Sequence, residues 1–449
     1  MEFFRKIEKR RFNAEESYTE DQLDHPHGRN RCGDPNYVAS CRDCNVVFPE
    51  VLVCYTDQHL SLKYSSVIAV IAVAGEMAGF GVILAPWAFV NFGLLTGTVM
   101  LMLLVAAATY GSSCMSWSWF ICEHRNPSDF NGYPHVFPCL KLAYNIGGKR
   151  LRNHILQCIC LALFSAATVC LMLIAQSADK LMHDECKGLT LENWLYLFAI
   201  MLSGMMVIED PKRTRFMSVG PMITSSVACF CMAMQTLYDI RQKEGTYVPQ
   251  AALVETVPSK MATAFGTLVF VTGTAAVLPV IQNNLTKRTE NAISLLHFFF
   301  IMSVMFMLVV FAACFAYGTD IHPNVLMSMG NSGWADVAII MSIFNLLLTF
   351  VSFTGPLVKF IELLMDGKDL GDPTILISPT RLNFQRYFIC VSLLVAMVLT
   401  GNLINDFNKL VVMFGGTSML FGAFIIPCVF YHATAERKEV FYKVPLRCA

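Results

Sequence analysis

Charge is what this chain has least of. Of its 449 residues only 15% are Asp, Glu, Lys or Arg, against about a quarter in an ordinary soluble domain. Lys+Arg and Asp+Glu both number 33, so no net field draws the protein to nucleic acid or to anionic surfaces in general. The P-loop, GxSxG and HExxH signatures are missing. That leaves no catalytic constellation, and the expectation is a non-enzyme without a cofactor. No secretory leader opens the chain, because residues 1–65 are polar and charged; the first apolar run is expected to serve as the insertion signal. A disulfide framework is also missing despite 17 cysteines. Cys158, Cys160, Cys170, Cys229, Cys231 and Cys314 fall inside apolar runs, where cysteine behaves as a small hydrophobe. One CxxC, Cys41 and Cys44, has Cys32, His25 and His27 nearby but no second pair at zinc-ribbon spacing, so no metal site is expected.

What is abundant is apolar sequence, 55% of the chain with a mean hydropathy of +0.52. The first run, residues 66–93, is followed by nine more at 94–120, 155–178, 191–208, 216–238, 261–284, 293–317, 337–364, 387–403 and 410–431. About 20 apolar residues cross a bilayer as a helix, so the expectation is an all-α polytopic membrane protein with ten spans. Lys and Arg gather in cytoplasmic loops of such proteins. With the N-terminus inside, the cytoplasmic segments hold 26 of them and the opposite loops 6, with Lys359 alone inside a span. The asymmetry supports ten spans with both termini in the cytoplasm. Residues 1–65 then form an N-terminal tail without helical periodicity, 66–432 the membrane domain, and 433–449 a short C-terminal tail.

Two spans look interrupted. The first places Glu76, Gly79, Gly81 and Pro86 around its centre, a costly set: glycine weakens a helix by roughly 1 kcal/mol and proline by about 3, and a carboxylate at mid-membrane costs several kcal/mol or takes up a proton. The sixth breaks at Thr272, Gly273 and Thr274, with Pro279 beyond. Spans one and six are corresponding members of a five-plus-five arrangement, and matched breaks point to an inverted-repeat transporter site. Unwound backbone would offer N–H groups near Gly79, Phe80 and Gly81 to a carboxylate, and carbonyls around Gly75, Ala78, Phe270, Val271 and Gly273 to an ammonium. A zwitterionic amino acid suits both. The plainer reading of the glycines is helix packing.

Glu76, within about 5 Å of the midplane by residue count and grouped with Met77 as an ion-coupling candidate, could carry a coupling proton, ligate a sodium ion, contact the substrate ammonium, or hold a structural hydrogen bond. In span eight, Asn345, Thr349 and Ser352 share one helix face and could complete a cation site, or could simply pack.

Three segments resemble a known family. GFGVILAPWAF in span one, AFGTLVFVTGTAAVLPVIQN in span six and FNKLVVMFGGTSMLFGAFIIPCVFYH in span ten are similar to the signatures of the amino acid/auxin permease family. The resemblance covers nearly all of the membrane domain. It implies a leucine-transporter-like 5+5 inverted repeat with broken helices 1 and 6, and amino acid transport coupled to protons or sodium. The chain departs from the family pattern in three places. Thr274 stands where a histidine is usual, Glu76 stands where many members are neutral, and ten spans are found where eleven are common. The expectation is a secondary active amino acid transporter of the plasma membrane or an endolysosomal membrane, its partners being the substrate and the lipid bilayer. The alternative is a sensor that binds amino acids without sustained flux and signals through its tail.

Overall fold

Where apolar sequence has no water to satisfy its backbone, the chain must bond to itself, and helices do this within one segment. A computed structural model shows this pattern. It describes residues 40–41, 46–47, 66–125, 138–183, 188–207, 213–242, 258–273, 304, 307–365, 384–404 and 406–436. The chain divides into two units, Met1–Ser61 and Leu62–Ala449. In the first, β1 (Ser40–Cys41) and β2 (Val46–Val47) pair antiparallel, with Ser40 opposite Val47 and Cys41 opposite Val46. The rest of the tail expected over residues 1–65 lies outside the described residues, as do residues 437–449.

The second unit is helical. Its elements are α1 (Ser66–Phe92), α2 (Leu94–Arg125), α3 (Pro138–Met182), α4 (Leu191–Val207), α5 (Arg213–Gln242) and α6 (Pro258–Thr272). They are followed by α7 (Met307–Asp320), α8 (Gly333–Met365) and α9 (Phe384–Leu403). The last, α10, starts as Phe407–Phe414, passes through two π-helical segments, Gly415–Met419 and Phe421–Ile425, and ends as Ile426–Glu436. Each expected span overlaps a helix over its described part, with Gly93 and Gly273 lying outside the helices. Among the described residues, five helices are long and apolar enough to cross a membrane, and Ala78–Phe92, Leu191–Met206 and Met307–Asp320 are shorter apolar helices. A kink at Gly148 (φ 68°, ψ −162°) divides α3. That conformation is open to glycine at little cost, and it separates the expected span from the ten residues before it.

Helix α1 is central. Among its described side chains, Ala74, Ala78, Phe80, Ile83, Ala85, Ala88 and Phe89 are buried on all sides of residues 74–92, the pattern of a helix enclosed by its neighbours. It packs against α5, α6 and α8, while α8 also leans on α3, and α10 lies against α6 and α2. Large apolar side chains such as Leu103 on α2, Ile200 on α4 and Leu399 on α9 point outward, a surface suited to hydrocarbon.

One expectation is overturned here. Helix α1 is not two half-helices: it runs without a break from Ser66 to Phe92, with Pro86 inside it. Its glycines meet neighbouring helices rather than freeing backbone. A Cβ on Gly75 would lie 2.2 Å from the Met222 nitrogen and 2.6 Å from the Pro221 carbonyl carbon of α5. A Cβ on Gly79 would lie 1.5 Å from the Asn345 side-chain oxygen of α8. Close approach of two partners explains both positions without any unwinding.

Candidate functional site

The centre of the bundle is built where α1, α5, α6, α8 and α10 meet. On α6 the helix stops at Thr272, and Gly273 follows outside it, its N–H donating to the Phe270 carbonyl at 3.3 Å. Thr272 turns its hydroxyl back onto the Leu268 carbonyl at 2.8 Å, a bond that competes with regular helix continuation. Phe270, Val271, Thr272 and Gly273 are all buried, so the partially negative end of α6 falls inside the bundle. Thr274, the next residue of the expected site, lies outside the described residues.

Against this helix end stand the aromatics. Phe80 of α1 meets Phe270 edge-on, with centroids 5.5 Å apart and planes at 63°. It meets Phe353 of α8 at 6.2 Å and 61°, both within the range of favourable aromatic pairs. Ala78, Gly79 and Gly81 flank Phe80 and are buried with it.

On α8, Asn345 and Thr349 are fully buried, whereas Ser352, one turn further along, is half-buried. The Asn345 amide nitrogen donates to the Gly75 carbonyl at 3.2 Å, to the Pro221 carbonyl at 2.7 Å and to the Thr224 hydroxyl at 3.3 Å. Thr349 donates to the Asn345 oxygen at 3.5 Å. Asn345 therefore ties α8 to α1 and α5. It presents a donor to the Gly75 carbonyl, while its oxygen faces Gly79 and the Thr349 hydroxyl. The backbones of Glu76 and Met77 belong to α1, and their side chains lie outside the described residues.

Two contributors were missed by sequence reasoning. Pro221 and Thr224 of α5 complete the amide cluster, and only a proline within an apolar run signalled that face. The π segments of α10 press on α6: a Cβ on Gly415 would lie 2.0 Å from the Gly266 carbonyl oxygen, and one on Gly273 would lie 2.8 Å from the Met419 Cβ. Ser418, in the first π segment, shares a 3.1 Å hydrogen bond with Ser165 of α3. Such π turns concentrate at functional positions, and the paired Gly415 and Gly416 were the visible mark. Among the described residues no group of three or more His, Cys, Asp or Glu could hold a metal ion; Cys32 and Cys44 lie outside them.

Compared with known proteins, residues 63–444 match the family model described as transmembrane amino acid transporter protein. No curated protein matches the chain.

Proposed function

Because the chain belongs to the transmembrane amino acid transporter family, we propose that it is a secondary active transporter that moves amino acids across a membrane by alternating access. The observation that carries the proposal is the ending of α6 at Thr272 and Gly273 inside the bundle, beside Phe80. A helix C-terminus deep in apolar surroundings favours a positive group, and the substrate ammonium is that group. In this reading the substrate lies beside Ala78, Phe80, Phe270, Val271 and Gly273. Its side chain is accommodated by separation of the Phe80, Phe270 and Phe353 rings, which fill the centre in the state described. The ten helices then form two inverted halves, α1–α5 and α6–α10, with both termini in the cytoplasm as the Lys and Arg distribution favours. The membrane is the plasma membrane or an endolysosomal one.

Coupling is assigned to protons through Glu76. Its position inside a largely apolar helix makes a titrating role economical. The Asn345 amide, which donates to the Gly75 carbonyl, supports protons over sodium, since a sodium ion at that oxygen would need an acceptor in the amide's place. The test is uptake of a labelled amino acid panel into proteoliposomes under imposed proton or sodium gradients, with Glu76→Gln alongside. Uptake that follows the proton gradient and falls to background in Glu76→Gln is expected. Uptake that tracks sodium alone and survives the substitution refutes the coupling assignment. Saturable binding without gradient-driven uptake would instead favour the sensor reading.

A further inference from the structure

Away from the central site, the segment between α7 and α8 is fastened to two helices, α3 and α5, by polar groups. Gly318, at φ 56°, turns the chain at the end of α7, and a single helical turn, Val325–Ser328, follows. Asn324 is its hub. The Asn324 side-chain oxygen accepts from the Leu326 N–H at 3.1 Å, and its amide nitrogen donates to Gln176 of α3 at 3.1 Å. The Asn324 backbone N–H donates to Nδ1 of His322 at 3.1 Å. The His322 N–H in turn reaches the Ser328 hydroxyl at 2.8 Å.

At the other end of the turn, Lys180 of α3 donates to the carbonyls of Leu326 (2.8 Å), Met327 (3.2 Å) and Met329 (2.5 Å). It takes up acceptors that a helix end leaves unpaired. Asp239 of α5 accepts from the Gly330 N–H at 3.1 Å and the Tyr317 hydroxyl at 2.6 Å. Gln235 bonds Asp239 at 2.8 Å, the Gly330 carbonyl at 3.3 Å and the Ser332 hydroxyl. Val325, Leu326 and Met329 are buried beneath these bonds.

We propose that residues 321–332 are a proton-released strap: neutral His322 holds the Asn324 hub closed, and protonation of His322 frees the strap from the ends of α3 and α5. An imidazole nitrogen can accept the Asn324 N–H only while it carries no proton. Once protonated it presents a donor to a donor, and the hub loses the bond that orients its backbone. The His322 side chain is exposed, so bulk protons reach it. The ionisable groups around it are Asp179 and Lys180 of α3 and His183 just beyond it, Tyr238, Asp239 and Arg241 of α5, Tyr317 and Asp320 of α7, and Asp336 of α8. Burial holds His322 below its ordinary value of 6.5; a backbone hydrogen bond with Asn324 acts in the opposite direction, and the Lys180 ammonium adds to the lowering. The sign follows: the latched state binds fewer protons than the released one, so latching is at full strength above pH 6.5 and weakens as pH falls below it. Which compartment's protons act depends on the orientation proposed above, and the latch itself does not.

The experiment uses the full-length protein with a reporter, Met327→Cys, and a membrane-impermeant maleimide. Labelling of the parent protein is subtracted. Rates are taken as a ratio to the same reporter in His322→Gln, whose amide oxygen can accept the Asn324 N–H at every pH, so the reagent's own pH dependence cancels. The ratio is expected to rise from about one at neutral pH as pH falls below 6.5, by at most about tenfold per pH unit, and to level off once the latched His322 itself protonates. A second variant, Asn324→Ala, removes the hub without touching the histidine and is expected to label fast at all pH values. A ratio that stays flat across pH 7.5 to 5.5, or an Asn324→Ala protein that labels as slowly as the parent strap, overturns the proposal. The readout needs no transport, so loss of uptake with an intact titration would refute the function and leave the strap standing.

Discussion

The close crossing of α1 and α5 makes a sharp prediction for Gly75→Ala. The new Cβ would sit 2.2 Å from the Met222 nitrogen, 2.5 Å from its Cα and 2.6 Å from the Pro221 carbonyl carbon. All three are backbone atoms, which have no rotamer by which to yield. Carbon contacts relax at about 3.5 Å, so the two helices must part by roughly 1 Å. Overpacking commonly costs about 1–3 kcal/mol, and a rigid neighbour puts this case at the upper end. Parting the helices also lengthens the 3.2 Å bond from Asn345 to the Gly75 carbonyl, with a further loss of about 1 kcal/mol. The assay is thermal unfolding in detergent followed by a thiol-reactive fluorophore, which reports exposure of buried cysteines such as Cys114, Cys170, Cys229 and Cys314. Gly204→Ala is the control. Its Cβ would meet nothing within 4 Å, and helix propensity alone predicts a gain of up to about 1 kcal/mol. Gly75→Ala should unfold several degrees below the parent, or fail to accumulate in the membrane. If it melts with the control, the tight α1–α5 crossing is refuted.

Other substitutions test other joints. Gly415→Ala should be as damaging as Gly75→Ala, since its Cβ would lie 2.0 Å from the Gly266 carbonyl oxygen; the same melting assay measures it. Asn345→Ala removes the shared donor of the Gly75 and Pro221 carbonyls and the Thr224 hydroxyl, and should cost about 1–3 kcal/mol, while Asn345→Asp should be worse because it brings an acceptor to two carbonyls. Asp239→Asn turns an amide donor or a weaker acceptor toward Tyr317, Gln235 and the Gly330 N–H, and should lower stability while speeding maleimide labelling in the strap. Phe80→Ala removes the ring shared by Phe270 and Phe353, and should both lower the melting temperature by several degrees and change relative uptake among amino acids of different size.

The helices were legible in the sequence because the bilayer demands long apolar runs and confines Lys and Arg to loops. The end of α6 was legible for a local reason: Thr272 and Gly273 both work against helix continuation, and no distant partner is needed to see it. Helix α1 was misread because glycine has two uses, backbone freedom and close approach. Only Met222 and Asn345, 147 and 266 positions away from Gly75 and Gly79 respectively, decide between them. The strap was invisible for the same reason. Residues 321–332 are polar enough to pass for an ordinary loop, and the Lys180 that fastens them lies 146 positions earlier than Leu326. The spacing of four between Gln176 and Lys180, and between Gln235 and Asp239, did put each pair on one helix face, but nothing in the chain named the shared partner.

The central claim is that this protein drives amino acids uphill across a membrane. Its most direct measurement is the concentration of a labelled amino acid reached inside sealed proteoliposomes when an inward proton gradient is imposed. The account predicts accumulation above the external concentration, collapsing when the gradient is dissipated by an ionophore. An internal concentration that never exceeds the external one, in protein that still binds the same amino acid, would contradict it.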